Sequence, residues 1–115
     1  MDNELIIPEL NKETIESMIY EIRGQRVMLD FNLAKIYGYA TKRFNEQVKN
    51  NINKFPFRYR FQLTTLELSK LQRSKISTSE LWATGRGGRA YLPYAFTEQG
   101  IYMLMNNIER NNING

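Results

Sequence analysis

Between Asp30 and Asn53 the chain carries two short amphipathic segments separated by a single glycine, a pattern that few arrangements other than a helix pair accommodate. The order is Asp30-Phe31-Asn32-Leu33-Ala34-Lys35-Ile36-Tyr37, then Gly38-Tyr39-Ala40, then Thr41 through Asn53. Asp30 and Thr41 are residue types that cap helix N-termini, and Gly38 can take the left-handed conformation that ends a helix. Phe44, Val48 and Ile52 recur every four residues and predict an inward stripe on a second helix running from Thr41 to Asn53. Lys42, Arg43, Asn45, Glu46, Lys49, Asn50 and Asn53 then face solvent. Lysine and arginine suit phosphates, and arginine, asparagine and glutamine suit base edges. A helix-turn-helix presents that kind of face to a major groove. Lys42, Arg43 and Lys49 are the candidate phosphate contacts, and Asn45, Asn50 and Arg43 the candidate base-edge contacts. Gln47 and Asn51 border the buried stripe and can bond inside the fold instead.

Charge points the same way. The first 22 residues hold six acids and one lysine, so the remainder carries fifteen basic residues against six acidic ones. A basic body favours polyanions through counterion release and steering, although charge of this size also serves solubility. A chain of 115 residues suits one domain with a modest core. The absence of cysteine excludes disulfides and thiolate metal sites. The start, Met1-Asp2-Asn3-Glu4, is acidic where a signal peptide is basic, and no apolar run has the length of a membrane span. A soluble cytoplasmic protein without membrane association is the expectation.

Residues 1–17 read as a leader in which Leu5-Ile6-Ile7 could dock as a strand. Ile15, Met18, Ile19 and Ile22 fit a short helix, yet Met18 to Arg23 equally fits a strand, and a β-hairpin turning at Gly24-Gln25 is the favoured reading. Phe55-Pro56 ends the helix pair. Phe57, Tyr59 and Phe61 alternate with Arg58, Arg60 and Gln62, which predicts a strand with its rings in the core and Arg58 and Arg60 on a cationic face. Thr64-Thr65-Leu66-Glu67 has the spacing of a capping box and opens a helix to about Gln72. Arg73 to Arg89 reads as a long loop in which Trp82 is an anchor and Gly85-Arg86-Gly87-Gly88-Arg89 is either a DNA-tracking arm, with Arg86 and Arg89 as contacts, or a plain flexible loop. Ala90 to Phe96 predicts an edge strand because of Pro93. Thr97 caps a last helix with Ile101, Leu104, Met105 and Ile108 inward, and the asparagine-rich chain from Asn106 reads as frayed.

The chain offers little for catalysis. Histidine and cysteine are absent, and beyond the leader no two carboxylates fall at a helical spacing that would share a metal. The glycine-rich segment lacks the closing Gly-Lys-Ser/Thr of a phosphate-binding loop. The expectation is a non-enzyme with no catalytic residues, no metal and no cofactor.

Several motifs in order resemble the phage ORF-six N-terminal domain, of the KilA-N and Bro-N-like group. They are Ile22 to Asp30, Leu33-Ala34 with Tyr37-Gly38, Thr41-Lys42-Arg43 with Asn45 to Lys49, Phe55-Pro56, Phe61 to Thr64, and Tyr91 to Gly100. The resemblance covers residues 18–108, leaving 109–115 as a tail. It implies a small α+β DNA-binding domain of phages and prophages, often placed at the N-terminus of antirepressor-like regulators. Tyr39-Ala40, Arg58-Tyr59-Arg60 and Ala90 depart from the family pattern, which bears on the turn, the basic surface and one backbone contact. Together these expectations describe a transcriptional regulator that binds double-stranded DNA by occupancy. The alternative is a protein-interaction module that holds a repressor protein; RNA binding is a weaker third. A homodimer stays open. The abrupt ending at Asn111 to Gly115 leads to the expectation that a larger protein was cut.

Overall fold

A two-residue turn makes the first corner of the fold. Arg23 and Gly24 both take positive φ, 57° and 74°, the mirror-image turn that matches the twist of a hairpin. It joins β1 (Ile19–Ile22) to β2 (Gln25–Leu29), with Ile22 paired to Gln25. The turn therefore centres one residue earlier than the sequence suggested. The ambiguous stretch from Met18 is a strand, preceded by only a short helix, α1 (Lys12–Ser17). The computed structural model describes residues 12–74 and 92–111. The Leu5-Ile6-Ile7 leader, Trp82, the arm with Arg86 and Arg89, and residues 112–115 lie outside the described residues.

After β2 follow α2 (Asp30–Tyr37), α3 (Thr41–Lys49), a single 3-10 turn at Ile52–Lys54, β3 (Arg60–Gln62), α4 (Thr65–Ser74), β4 (Tyr94–Phe96) and α5 (Glu98–Asn107). The architecture is α+β, as expected. The four antiparallel strands of the described residues run β1-β2-β4-β3. Thus β4 is a central strand, which corrects the edge placement inferred from Pro93. That proline precedes the strand, so its missing N–H removes no ladder bond, and its carbonyl accepts from Leu63 N at 2.9 Å.

Alternation along β2 and β4 feeds two cores. Val27, Leu29 and Ala95 join Tyr20, Ile22, Phe31, Phe61, Leu63 and Leu71 on one side. Met28 and Phe96 join Leu33, Tyr37, Phe44, Val48, Phe55, Leu104 and Ile108 on the other. Phe96 sits edge-on to Phe44 and Phe55, with centroids 5.8 and 6.1 Å away.

Two stretches depart from their expected faces. Pro56 starts a turn in which Tyr59 N and Arg60 N both donate to the Pro56 carbonyl, so the strand begins only at Arg60. Phe57 is consequently 73% exposed rather than core, and Arg58 and Arg60 do not share a strand face. On α5, Leu104 is buried, as is Ile108 just past the helix end, while Met105 lies about 100° round the helix from Leu104 and is 65% exposed.

The caps of the two later helices follow the sequence. Thr64 and Glu67 exchange bonds: Thr64 N donates to Glu67 Oε1 at 2.8 Å and Glu67 N to Thr64 Oγ1 at 3.1 Å. Thr97 Oγ1 accepts from Gly100 N at 3.3 Å and donates to the Arg58 carbonyl at 3.0 Å. Here α5 starts so close to the turn before β3 that a Cβ on Gly100 would collide with the Tyr59 carbonyl.

Candidate nucleic-acid interface

The helix pair is closed by a complete Schellman motif. Gly38 takes φ 83°, Tyr39 N donates to the Ala34 carbonyl at 2.9 Å, and Gly38 N donates to the Lys35 carbonyl at 3.2 Å. The chain then re-enters a helix at Thr41. Asp30 and Thr41 are the first helical residues rather than caps; Leu29 and Ala40 hold the cap positions, with no side-chain cap bond.

Helix α3 is shorter than predicted, nine residues ending at Lys49. Asn51 N bonds back to the Val48 carbonyl and Asn51 Nδ2 to the Gln47 carbonyl, which turns the chain into the 3-10 segment. Phe44 and Val48 are its fully buried anchors, whereas Ile52 is 47% exposed and outside the stripe. Opposite the anchors, Lys42, Arg43, Glu46 and Lys49 are exposed, and Asn50 is exposed where the helix ends.

Asn45 has another role. It is half-buried, and its Nδ2 donates to Asp30 Oδ2 at 2.9 Å. The same carboxylate oxygen accepts from Tyr94 N, on β4, at 3.2 Å. With its amide committed inside the fold, Asn45 leaves the base-edge set. Asp30 is completely buried, and the carboxylate taken in the sequence as a cap is a tie between α2, α3 and the central strand.

Arg60 is half-buried with its guanidinium 3.8 Å from the Tyr94 ring centroid, and it also lies 5.9 Å from Phe96. It is therefore stacked on the strand that holds Asp30, rather than standing free on a cationic face. Arg58 is exposed on the preceding turn, its guanidinium 5.2 Å from the Tyr59 ring. The described candidates thus divide. Lys42, Arg43 and Lys49 share the outer side of α3 with Asn50 at its C-terminal end, Arg60 connects to that helix through Tyr94 and Asp30, and Arg58 stands on the turn before β3.

The sequence did not signal what holds the turn. Asn111 N donates to the Tyr37 carbonyl at 2.7 Å, Asn111 Nδ2 to the Gly38 carbonyl at 2.9 Å, and Tyr39 Oη to the Glu109 carbonyl at 2.9 Å. Lys54 Nζ donates to Asn107 Oδ1 at 3.0 Å. Residues 107–111, expected to fray, form a strap across the Gly38 turn.

Away from α3, Arg23 makes a forked contact with Glu67, 2.8 Å from Nε to Oε2 and 3.1 Å from Nη2 to Oε1, while stacking 4.1 Å from the Phe61 centroid. The hydrogen bond to Arg23 is the main reason the Glu67 carboxyl is held below its ordinary value, and the same bond raises Arg23. Burial raises the Tyr37 phenol, against a smaller lowering by Arg110. Among the described residues no cluster of three or more His, Cys, Asp or Glu could hold a metal, and no helix is long and apolar enough to cross a membrane.

Residues 17–107 match the family model described as the ORF6N domain. Neither a curated protein nor a solved structure matches the chain.

Proposed function

The chain belongs to the ORF6N domain family, a phage-type family, and from that premise we propose that it binds double-stranded DNA through α3. The observation that carries this reading is the outer side of α3, where Lys42, Arg43, Lys49 and Asn50 stand exposed over the buried anchors Phe44 and Val48. Lys42 and Lys49 are point charges suited to phosphates, and Arg43 and Asn50 carry the planar donors that suit base edges in a major groove. The exposed Arg58 adds a phosphate contact from the turn before β3, and Arg86 and Arg89 are further candidates in the glycine-rich segment. The protein acts by occupancy as a transcriptional regulator of phage or prophage genes, of the antirepressor-like kind. It needs no cofactor, metal or turnover, and it works in the cytoplasm, as a monomer or a homodimer.

Titrating duplex DNA against salt tests this. Each neutralised phosphate contributes a slope of about −0.9 to the log–log dependence of affinity on salt, so Lys42→Ala and Lys49→Ala each reduce it by about one. They weaken random and selected duplexes alike, whereas Asn50→Ala relaxes preference at one base position. A wild-type protein whose duplex binding ignores salt, or does not occur, refutes the reading.

A second reading draws on Tyr102 and Met105, one turn apart on α5 and 64% and 65% exposed. It makes the domain a module that docks on a repressor protein. A salt-insensitive complex with a protein, and no duplex binding, would favour it.

A further inference from the structure

Asp30 and Asn45 together bear on how α3 is aimed. Phe44 and Val48 hold the helix down, but apolar contacts have no direction, and a helix resting on two such anchors can roll about its axis. The bond from Asn45 Nδ2 to Asp30 Oδ2 is directional. Asn45 follows Phe44 by about 100° round the helix, so the bond grips α3 on its flank, where a roll would break it. The acceptor itself is fixed, because the same oxygen takes the Tyr94 N–H of the central strand. Side-chain tips on α3 lie about 6 Å from its axis, so a roll of about 20° displaces them by roughly 2 Å. Such a shift exceeds what a base-edge hydrogen bond tolerates.

We infer that Asp30 is a positioning residue for the DNA-reading side of α3, acting through Asn45 to set the rotation of that helix against the sheet. The inference rests on the proposed duplex binding. It predicts a signature different from that of a direct contact, because losing the grip disturbs Arg43, Lys49 and Asn50 together. Arg60 belongs to the same frame, since its guanidinium stacks on the ring of the residue whose N–H holds Asp30.

The experiment compares the wild type, Asn45→Ala, Asp30→Ala and Asp30→Asn. Asp30→Asn keeps a side-chain oxygen whose two lone pairs can take both the Asn45 Nδ2 and the Tyr94 N–H. Binding is measured to a duplex selected by the wild type, to each of its single-base variants, and to a random duplex. Asn45→Ala and Asp30→Ala are expected to lower the selected-to-random ratio about tenfold, with losses at several base positions at once. The salt slope should hold, and Asp30→Asn should retain the ratio. Loss at a single base position, or no loss, in the two alanine variants overturns the inference. Amide hydrogen exchange separates the two ideas. If the wild type binds no duplex, the functional reading has failed. In that event faster exchange at Phe44 and Val48 in Asn45→Ala, with β1 and β2 unchanged, still upholds the grip on α3, and unaltered exchange overturns it. The same exchange data show whether a variant has merely unfolded.

Discussion

Helices α2 and α4 both begin beside an acidic side chain, and the two acids do opposite jobs. Glu67 closes a capping box with Thr64, three positions earlier, and its carboxylate also meets Arg23 at the protein surface. Asp30 is fully buried, and its carboxyl group reaches Asn45 on α3 and Tyr94, 64 residues along the chain. The first organises its own helix with solvent as a fallback partner. The second organises three elements, and water cannot replace it. An acid at a helix start is thus a local stop sign in one place and a tertiary joint in the other, a difference that lies in burial and not in residue type.

The largest expected effect follows from removing the joint. Asp30→Ala removes the buried acceptor shared by the Asn45 amide and the Tyr94 N–H, at a cost of about 3–5 kcal/mol in chemical denaturation. A loss no greater than that of Thr64→Ala would break the comparison. Thr64→Ala removes one cap bond at the surface and should cost about 1 kcal/mol by the same measurement. The smallest effect is a pH dependence. Because the Glu67 carboxyl is held below its ordinary value of 4.5, its contribution is fully present above that value and is lost as pH falls through the lower folded value. The pair is partly exposed, so the increment is about 1 kcal/mol or less. Acid unfolding curves of the wild type and Glu67→Gln should therefore converge only as pH falls through that lowered value. Curves that stay parallel there would show that the Arg23 contact contributes nothing to stability.

What was legible in the sequence follows the same division. The Schellman turn at Gly38, the Thr64–Glu67 box and the Thr97 cap each need only a few neighbouring residues, and all three form as read. The hairpin was also legible, one residue out of register with its turn. Asn45 was misjudged because helical periodicity gives a residue's direction but not what stands on that side. Ile52 was counted inward because no proline or glycine marks the stop after Lys49; the turn is made by backbone and side-chain bonds of Asn51. Phe57 and Met105 were assigned by period, and in each case the element begins or rotates differently from a uniform repeat. The exposed cations of α3 were found because exposure opposite Phe44 and Val48 follows from the wheel alone.

The place of β4 bears on how the molecule is born. The outer strands β1 and β3, together with β2, leave the ribosome before Tyr94–Phe96, yet the sheet pairs β2 to β3 only through β4. Its middle is delivered last and must be inserted between strands already made, a long-range closure of the kind that slows folding. Until it arrives, two strand edges lack partners and Phe44 and Phe55 have no Phe96 to meet. A chain halted by premature termination ahead of Tyr94 is thus a sticky intermediate rather than a smaller version of the domain.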